Sequence, residues 1–363
     1  MESVSTETPP GTENYDYEYI WLWRGPTSEW GEVIIQTVVW CLCVVTLFGN
    51  ALVIMAFIRD RRLRAKIPNM YILNLSLADF IVGCVTMPIQ NAYRHTGIWR
   101  FGEAACKFWL SMDYGGCCLS MWAIVLISYD RYILITKGLE YGKLQTLPKF
   151  MTLAACMWFF SLSNAVFSIV GSDLFVENTI DYSMYCDSAI FYTPGFVIYD
   201  VFVTFLIPVI MIIYFNTRLF TDIKKRSRGL PRSTASIEPS STIGSASVNH
   251  SVQRQDEAST IGAQKQRQGT TDIRKHRRGA ITLALIVGVS SLCWLPYKAN
   301  TILGSIFGVE TSIRSLIISL YIFYSNSAIN PLLYVATNPR IREGMIALIK
   351  IPFAAVAQLT QNT

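Results

Sequence analysis

Four ionisable side chains, Asp79, Asp113, Asp200 and Lys298, stand inside long apolar runs, where a charge is costly unless it lines a pocket or meets a partner. From Asp113 the positions Cys117, Ser120, Ile124, Ile127 and Arg131 recur at steps of three and four, so they share one helical face. That stripe is about 27 Å long at the helical rise, close to the hydrocarbon thickness of a bilayer. It joins an outer acid to an inner base and puts Asp113 in the outer third. No Lys or Arg in the outer half of a run matches Asp113 except Lys298, so an organic cation arriving from outside is its expected partner. Such a pair at 4 Å is worth about 4 kcal/mol at an effective dielectric near 20, before desolvation is subtracted. Tyr114, Trp294, Tyr297, Tyr321 and Tyr324 could form an aromatic cage around an ammonium group. The same rings also suit plain core packing, and tyrosine hydroxyls alone could satisfy the acid.

Asp79 falls at mid-membrane in the second run, with Ser120, Asn326, Ser327 and Asn330 expected at similar depth. Oxygen ligands around one carboxylate suit a small hard cation such as sodium; a water-filled polar network without an ion fits them equally. No other cofactor or metal is expected. The three His (His95, His250, His276) are scattered, no nucleophile-base pair is visible, and no phosphate-binding Gly loop follows a strand, so enzyme chemistry is not expected.

The elements that must position these residues are membrane helices. The 363-residue chain is 52% hydrophobic and only 15% charged, where an average soluble protein has about a quarter charged residues. Stretches of about 20 apolar residues occur seven times: Val33 to Ile58, Met70 to Tyr93, Cys106 to Thr136, Phe150 to Val170, Pro194 to Phe220, Gly279 to Gly304 and Ser312 to Val335. All seven are expected to be helical, because lipid leaves no partner for an open sheet edge. The expected fold class is therefore an all-α seven-transmembrane helix bundle over residues 33–335. Of the 31 Lys and Arg, 23 fall after the first, third and fifth spans and in the tail, which assigns those segments to the cytoplasm. The acidic N-terminal tail, residues 1–32, is then extracellular, and no cleaved signal peptide is expected at its polar start. The net charge of +6 reads as this asymmetry and as attraction to anionic lipid, with no nucleic acid as partner.

The connection 227–272 has 14 Ser or Thr in 46 residues and almost no aliphatic periodicity, so it is expected to be a disordered cytoplasmic loop, its Ser and Thr either open to phosphorylation or only solvated linker. In the tail, 336–363, Asn338 to Lys350 reads as an amphipathic helix on the inner membrane surface, with Ile341, Met345, Ile346 and Ile349 apolar. Seven of nine cysteines lie inside spans. Cys106 and Cys186 are left on the oxidising face, and one disulfide between them is expected, the alternative being two extracellular thiols.

Several motifs stand in a fixed order. The third span ends Ser128-Tyr129-Asp130-Arg131-Tyr132, the sixth carries Cys293-Trp294-Leu295-Pro296-Tyr297, and the seventh ends Asn330-Pro331-Leu332-Leu333-Tyr334. With Gly49-Asn50, Leu77-Ala78-Asp79, Trp158, Pro208 and the Cys106/Cys186 pair, the chain resembles the rhodopsin-like (class A) G-protein-coupled receptors over all seven spans. Asp113 together with Tyr324 is similar to the biogenic-amine group, in which the acid pairs with the ligand amine and the Tyr hydroxyl steadies the acid. Opsins are excluded, since the seventh span has no Lys for retinal. A finer resemblance, through Trp99-Arg100-Phe101-Gly102, Ile207-Pro208-Val209-Ile210 and Tyr214-Phe215-Asn216, is to histamine receptors of the inhibitory-G-protein type, with muscarinic receptors next. The resemblance implies a plasma-membrane receptor that binds a small cationic amine and activates a heterotrimeric G protein. Asp130, Arg131, Tyr132, Asn330, Pro331 and Tyr334 would serve activation, and receptor kinases and arrestin would be further partners.

Departures from that pattern bear on the ligand. Those histamine receptors carry a Glu one turn outward of the fifth-span Pro; here Thr204 stands there, and an acid appears another turn out at Asp200. Asp113 and Asp200 on opposing walls would suit histamine or a diamine, with Cys117, Thr204 and Lys298 sorting the rest of the ligand. An internal pair between Lys298 and Asp200, the favoured arrangement because burying either charge alone is costly, points instead to a monoamine or a zwitterion. Ser290 replaces a Phe one turn inward of Trp294 and is expected to face Met121, and His276 replaces the acid that often locks Arg131, leaving Asp130 as its expected partner. A looser resting state follows. Two rivals remain: a receptor of this fold for peptides or lipids, and a channel or transporter, for which no inverted repeat or continuous polar path is visible.

Overall fold

Apolar stretches and their flanking breakers set the helices. In the computed structural model, which describes residues 29–176, 180–228 and 288–361, α1 spans Glu29–Arg59. Helix α2 runs Ile67–Ile81, through a π-helical turn Val82–Thr86, into Met87–Thr96. Then follow α3 (Gly102–Lys137), α4 (Leu147–Ile169) and α5, which runs Pro194–Asp200, through a second π-helical turn Val201–Leu206, into Ile207–Arg228. Helix α6 occupies 288–305, α7 Ile313–Thr337 and α8 Pro339–Gln361. Among the described residues six helices are long and apolar enough to cross a bilayer, and α6 is the described part of the remaining expected span.

Most helix ends differ by a few residues from the bounds of the apolar stretches, and three of the differences fall in segments expected to be tail or loop. Helix α1 begins inside the expected tail. Helix α5 continues past Phe220 to Arg228, taking Ser227 from the expected loop, because neither Gly nor Pro interrupts 217–228. Helix α8 runs to Gln361 instead of Lys350; Ala354, Ala355 and Ala357 supply helix propensity beyond the amphipathic stretch. Its Ile341 and Met345 are buried against the bundle while Ile346 and Ile349 are exposed, so the four do not form one lipid-facing row.

Helix α3 is the axis of the bundle. Within their most apolar windows 72% of its residues are buried, against 33% for α4 and 28% for α5. Those outer helices expose Phe159, Phe167, Ile210 and Ile213, the arrangement expected where lipid, and not water, is the solvent.

Close helix approaches explain two motifs. A Cβ on Gly83 would lie 2.8 Å from the backbone N of Leu47, so α1 and α2 meet at a distance only glycine permits. A Cβ on Gly49 would lie 3.0 Å from Cγ of Pro331. Pro331 has no N–H to return to the carbonyl four residues earlier, that of Ser327. Asn50 Nδ2 donates to that carbonyl at 3.1 Å. The Gly-Asn pair on α1 and the Asn-Pro pair on α7 are thus two halves of one contact.

At the outer end, Trp99, Trp109 and Tyr93 pack around the disulfide that joins Cys106 to Cys186, with Cα atoms 5.4 Å apart. Trp99 Nε1 donates to the carbonyl of Gly102 at 2.8 Å, and Gly102 itself has φ +74°, a left-handed conformation that favours glycine. The backbone N of Cys186 donates to Tyr93 Oη at 3.1 Å, which fixes the loop over the mouth of the bundle.

Candidate functional site

The stripe on α3 brings Asp113 to the outer third, and α7 answers it. Tyr324 Oη, itself 2% exposed, donates to Asp113 Oδ1 at 2.8 Å. No Lys or Arg nitrogen among the described residues comes within salt-bridge distance of Asp113, because Lys298 is engaged elsewhere. Lys298 Nζ lies 2.5 Å from Asp200 Oδ2 across the α5–α6 gap, and Thr204 Oγ1 adds hydrogen bonds to the carbonyl of Asp200 (2.8 Å) and to its Oδ1 (3.0 Å). The internal pair is therefore formed. The Lys298 ammonium also stands 5.6 Å from the ring centroid of Trp294.

The expected aromatic cage is only partly assembled around Asp113. Trp294 packs edge-on to Phe323 (centroids 4.6 Å apart) and stacks with Phe205, and Tyr297 contacts Phe323. Tyr321 turns away: its hydroxyl donates to Asn91 Oδ1 on α2 at 3.1 Å. Tyr114 packs between Phe191 and Phe196 and accepts from Asn164 Nδ2 at 3.4 Å, and Asn164 in turn accepts from Tyr199 at 2.5 Å. Cys117 is buried and, with Trp294, Phe323 and Tyr324, lines a small cavity that reaches inward to Ser120, Asn326 and Ser327. In the loop above, burial pushes the Asp187 carboxyl above the usual carboxylate range, against hydrogen bonds from Tyr192 Oη (2.5 Å) and Ser188 N (2.7 Å). Asp187 lies within electrostatic reach of Tyr297, an acid at the mouth that its sequence position beside Cys186 did not distinguish from other outer acids.

One layer inward, Asp79 is fully buried and collects donors from two helices. Ser120 and Ser327 hydroxyls donate to Oδ1 at 2.6 and 2.7 Å, and Asn330 Nδ2 to Oδ2 at 2.8 Å. Asn326 does not join this set. Its Oδ1 accepts from Ser290 Oγ on α6 at 2.6 Å, so Ser290 reaches α7 and is not committed to Met121. Both Ser hydroxyls can turn a lone pair toward a cation, which fits a small ion at Asp79, whereas the Asn330 amide nitrogen can only donate.

Residues 49–334 match the family described as 7 transmembrane receptor (rhodopsin family). The chain belongs to that family. The receptor is 29% identical over 356 residues to the human histamine H4 receptor, a match covering 84% of this chain and 89% of the relative. It is 26% identical over 326 residues to the rabbit alpha-1A adrenergic receptor, covering 88% of this chain and 68% of the relative, and 28% identical over 349 residues to the mouse histamine H4 receptor, covering 81% and 86%. Members of this family are membrane-embedded receptors and not enzymes, which removes the channel or transporter reading.

At the receptor's inner end the expected pairing of Asp130 with Arg131 is not a direct ion pair. Asp130 Oδ1 accepts from Tyr141 Oη at 2.7 Å, in the helical turn that follows α3. The two neighbours point apart because successive helical side chains are about 100° around the axis. Tyr132 and Tyr129 pack on Phe215 of α5, Asn216 Nδ2 lies 3.4 Å from Ser128 Oγ, and Tyr334 is buried. His276 and 229–272 of the third cytoplasmic loop lie outside the described residues.

Proposed function

We propose that this receptor binds an extracellular biogenic amine and activates a heterotrimeric G protein. The observation that carries the reading is Asp113: a carboxylate held at 2.8 Å by Tyr324, which with Trp294, Phe323 and Cys117 lines a cavity one turn inward, and with no basic side chain of the described residues paired to it. A protonated amine completes such a site, and an unpaired carboxylate at that depth is otherwise expensive. Histamine and adrenergic receptors among the relatives support the amine class.

Mechanistically, the ammonium pairs with Asp113 and packs on Trp294, Tyr297 and Tyr324. Binding shifts a conformational equilibrium only by its difference in affinity between states. The active state frees Arg131, Tyr132 and Tyr334 to meet the G protein, and Pro208, Pro296 and Pro331 supply the points where helices bend. The N-terminus lies outside the cell, and the basic loops face the G protein. An inhibitory-type G protein is the favoured partner by resemblance to the histamine H4 receptor, and receptor kinases and arrestin would act on the Ser/Thr-rich loop. Asp79 with Ser120 and Ser327 would hold a sodium ion, which would supply a counter-charge to the buried carboxylate; Asn330 would then orient that carboxylate and Asn326 would serve the link to Ser290.

Cells expressing the receptor with a G-protein activation reporter test the reading, with histamine, other monoamines, acetylcholine, diamines and a few peptides applied to wild type and Asp113→Asn at matched surface levels. One amine should activate wild type and fail on Asp113→Asn. Activation by peptides alone, or an amine response that survives the substitution, would contradict the amine pocket.

A further inference from the structure

The second acid of the pocket already holds a cation. Asp200 and Lys298 are 93% and 95% buried, 2.5 Å apart, and both hydroxyl and ammonium donors converge on the carboxylate. The ammonium also covers the face of Trp294, 5.6 Å from its centroid, the ring whose other contacts line the cavity below Asp113. An ammonium beside a carboxylate and over an indole is what a bound ligand cation would present. Here the protein supplies it from α6. Trp294, under the Lys298 ammonium, and Tyr324, bonded to Asp113, line the same cavity with Cys117, so the two charged sites flank one cavity.

We propose that Lys298 is a specificity-determining residue whose own ammonium fills the second cation subsite at Asp200, so that the receptor selects singly charged amines with an uncharged distal end. The proposal rests on Asp113 as the amine anchor. A dibasic ligand would bring a second ammonium against Lys298, and an acidic distal group would have to break a buried pair and leave Asp200 uncompensated, which is strongly unfavourable and narrows the expected monoamine or zwitterion to the monoamine. Removing the Lys298 charge empties the subsite and leaves a buried carboxylate that a ligand ammonium can satisfy.

Three probes with one scaffold test this on the purified full-length receptor: 2-phenylethylamine, 4-(2-aminoethyl)benzylamine and 4-(2-aminoethyl)benzoate, each read by the ligand-induced rise in melting temperature and the apparent affinity it gives. Wild type should respond to 2-phenylethylamine more than to either other probe, and Asp113→Asn should lose that response. Lys298→Met should gain affinity for the dibasic probe by about tenfold or more, the scale expected when a buried charge regains its partner. The double variant Asp200→Asn/Lys298→Met, which has no uncompensated charge and does not depend on the single variant folding, should lose that gain.

Equal or stronger binding of the dibasic or the acidic probe to wild type overturns the proposal. So does a dibasic affinity in the double variant as high as that of Lys298→Met, or no dibasic gain in a folded Lys298→Met. A 2-phenylethylamine response that survives Asp113→Asn, with the dibasic gain intact, overturns the anchor reading instead, and no response to any probe on any variant overturns both.

Discussion

In the proposed function Asp113 and Tyr324 carry the ligand chemistry, and each makes its own prediction. Tyr324→Phe removes one hydrogen bond to a charged acceptor, a contribution of about 1.5–3 kcal/mol, from a carboxylate that keeps its place on α3. Amine affinity in membranes should fall about tenfold or more without loss of surface receptor; an unchanged affinity would mean that Tyr324 does not steady the acid. Ser290→Ala leaves Asn326 Oδ1 without its 2.6 Å donor. The melting temperature of the solubilised receptor should drop by the equivalent of about 1–3 kcal/mol, and no change would mean water replaces the hydroxyl freely. At this scale the sequence was informative where a charge stood in an apolar run: Asp79, Asp113, Asp200 and Lys298 all take part in polar contacts. It was uninformative about direction. Nothing in the spacing says that Asp130 meets Tyr141 across a turn, that Tyr321 faces Asn91, or that Ser290 reaches Asn326, because each depends on how neighbouring helices are rotated.

Among the elements, the helices follow from apolar length, and their irregularities from glycine and proline. Gly83→Ala places a methyl group 2.8 Å from backbone that cannot yield, so α1 and α2 must part. The cost should be about 1–3 kcal/mol, read as a lower melting temperature and reduced folded yield; a neutral result would show that the two helices have room to separate. The π-helical turns Val82–Thr86 and Val201–Leu206 were not legible in the apolar pattern. Each lies just before a proline, Pro88 or Pro208, that returns no N–H to the turn behind it. A periodicity of 3.6 carries no mark of one extra residue in a turn, although the two prolines do show where one could be accommodated. The second turn sits directly after Asp200, so it sets how α5 presents that acid to Lys298. The helix ends at Arg228 and Gln361 were missed for a simpler reason: apolar length measures the bilayer crossing and not the helix, which continues until a breaker or a loss of propensity ends it.

For the whole molecule, the asymmetry of basic residues and the stripe along α3 describe a device with an outer input and an inner output. Arg131 has no direct ion pair with Asp130, and by the family resemblance His276 replaces the acid that often restrains it. Basal G-protein activation should therefore fall when His276→Glu restores that acid, and unchanged basal output would count against a loosely held Arg131. Coupling to an inhibitory G protein predicts that the activating amine lowers cyclic AMP, and a rise would contradict it. The most direct test of the account is the equilibrium affinity of that amine in membranes for wild type and Asp113→Asn. With the ammonium seated on a half-buried carboxylate, the substitution should weaken binding by about a hundredfold or more, equivalent to about 3 kcal/mol. An affinity within a few fold of wild type, in a receptor that still reaches the surface, would contradict the claim that Asp113 is the amine's partner.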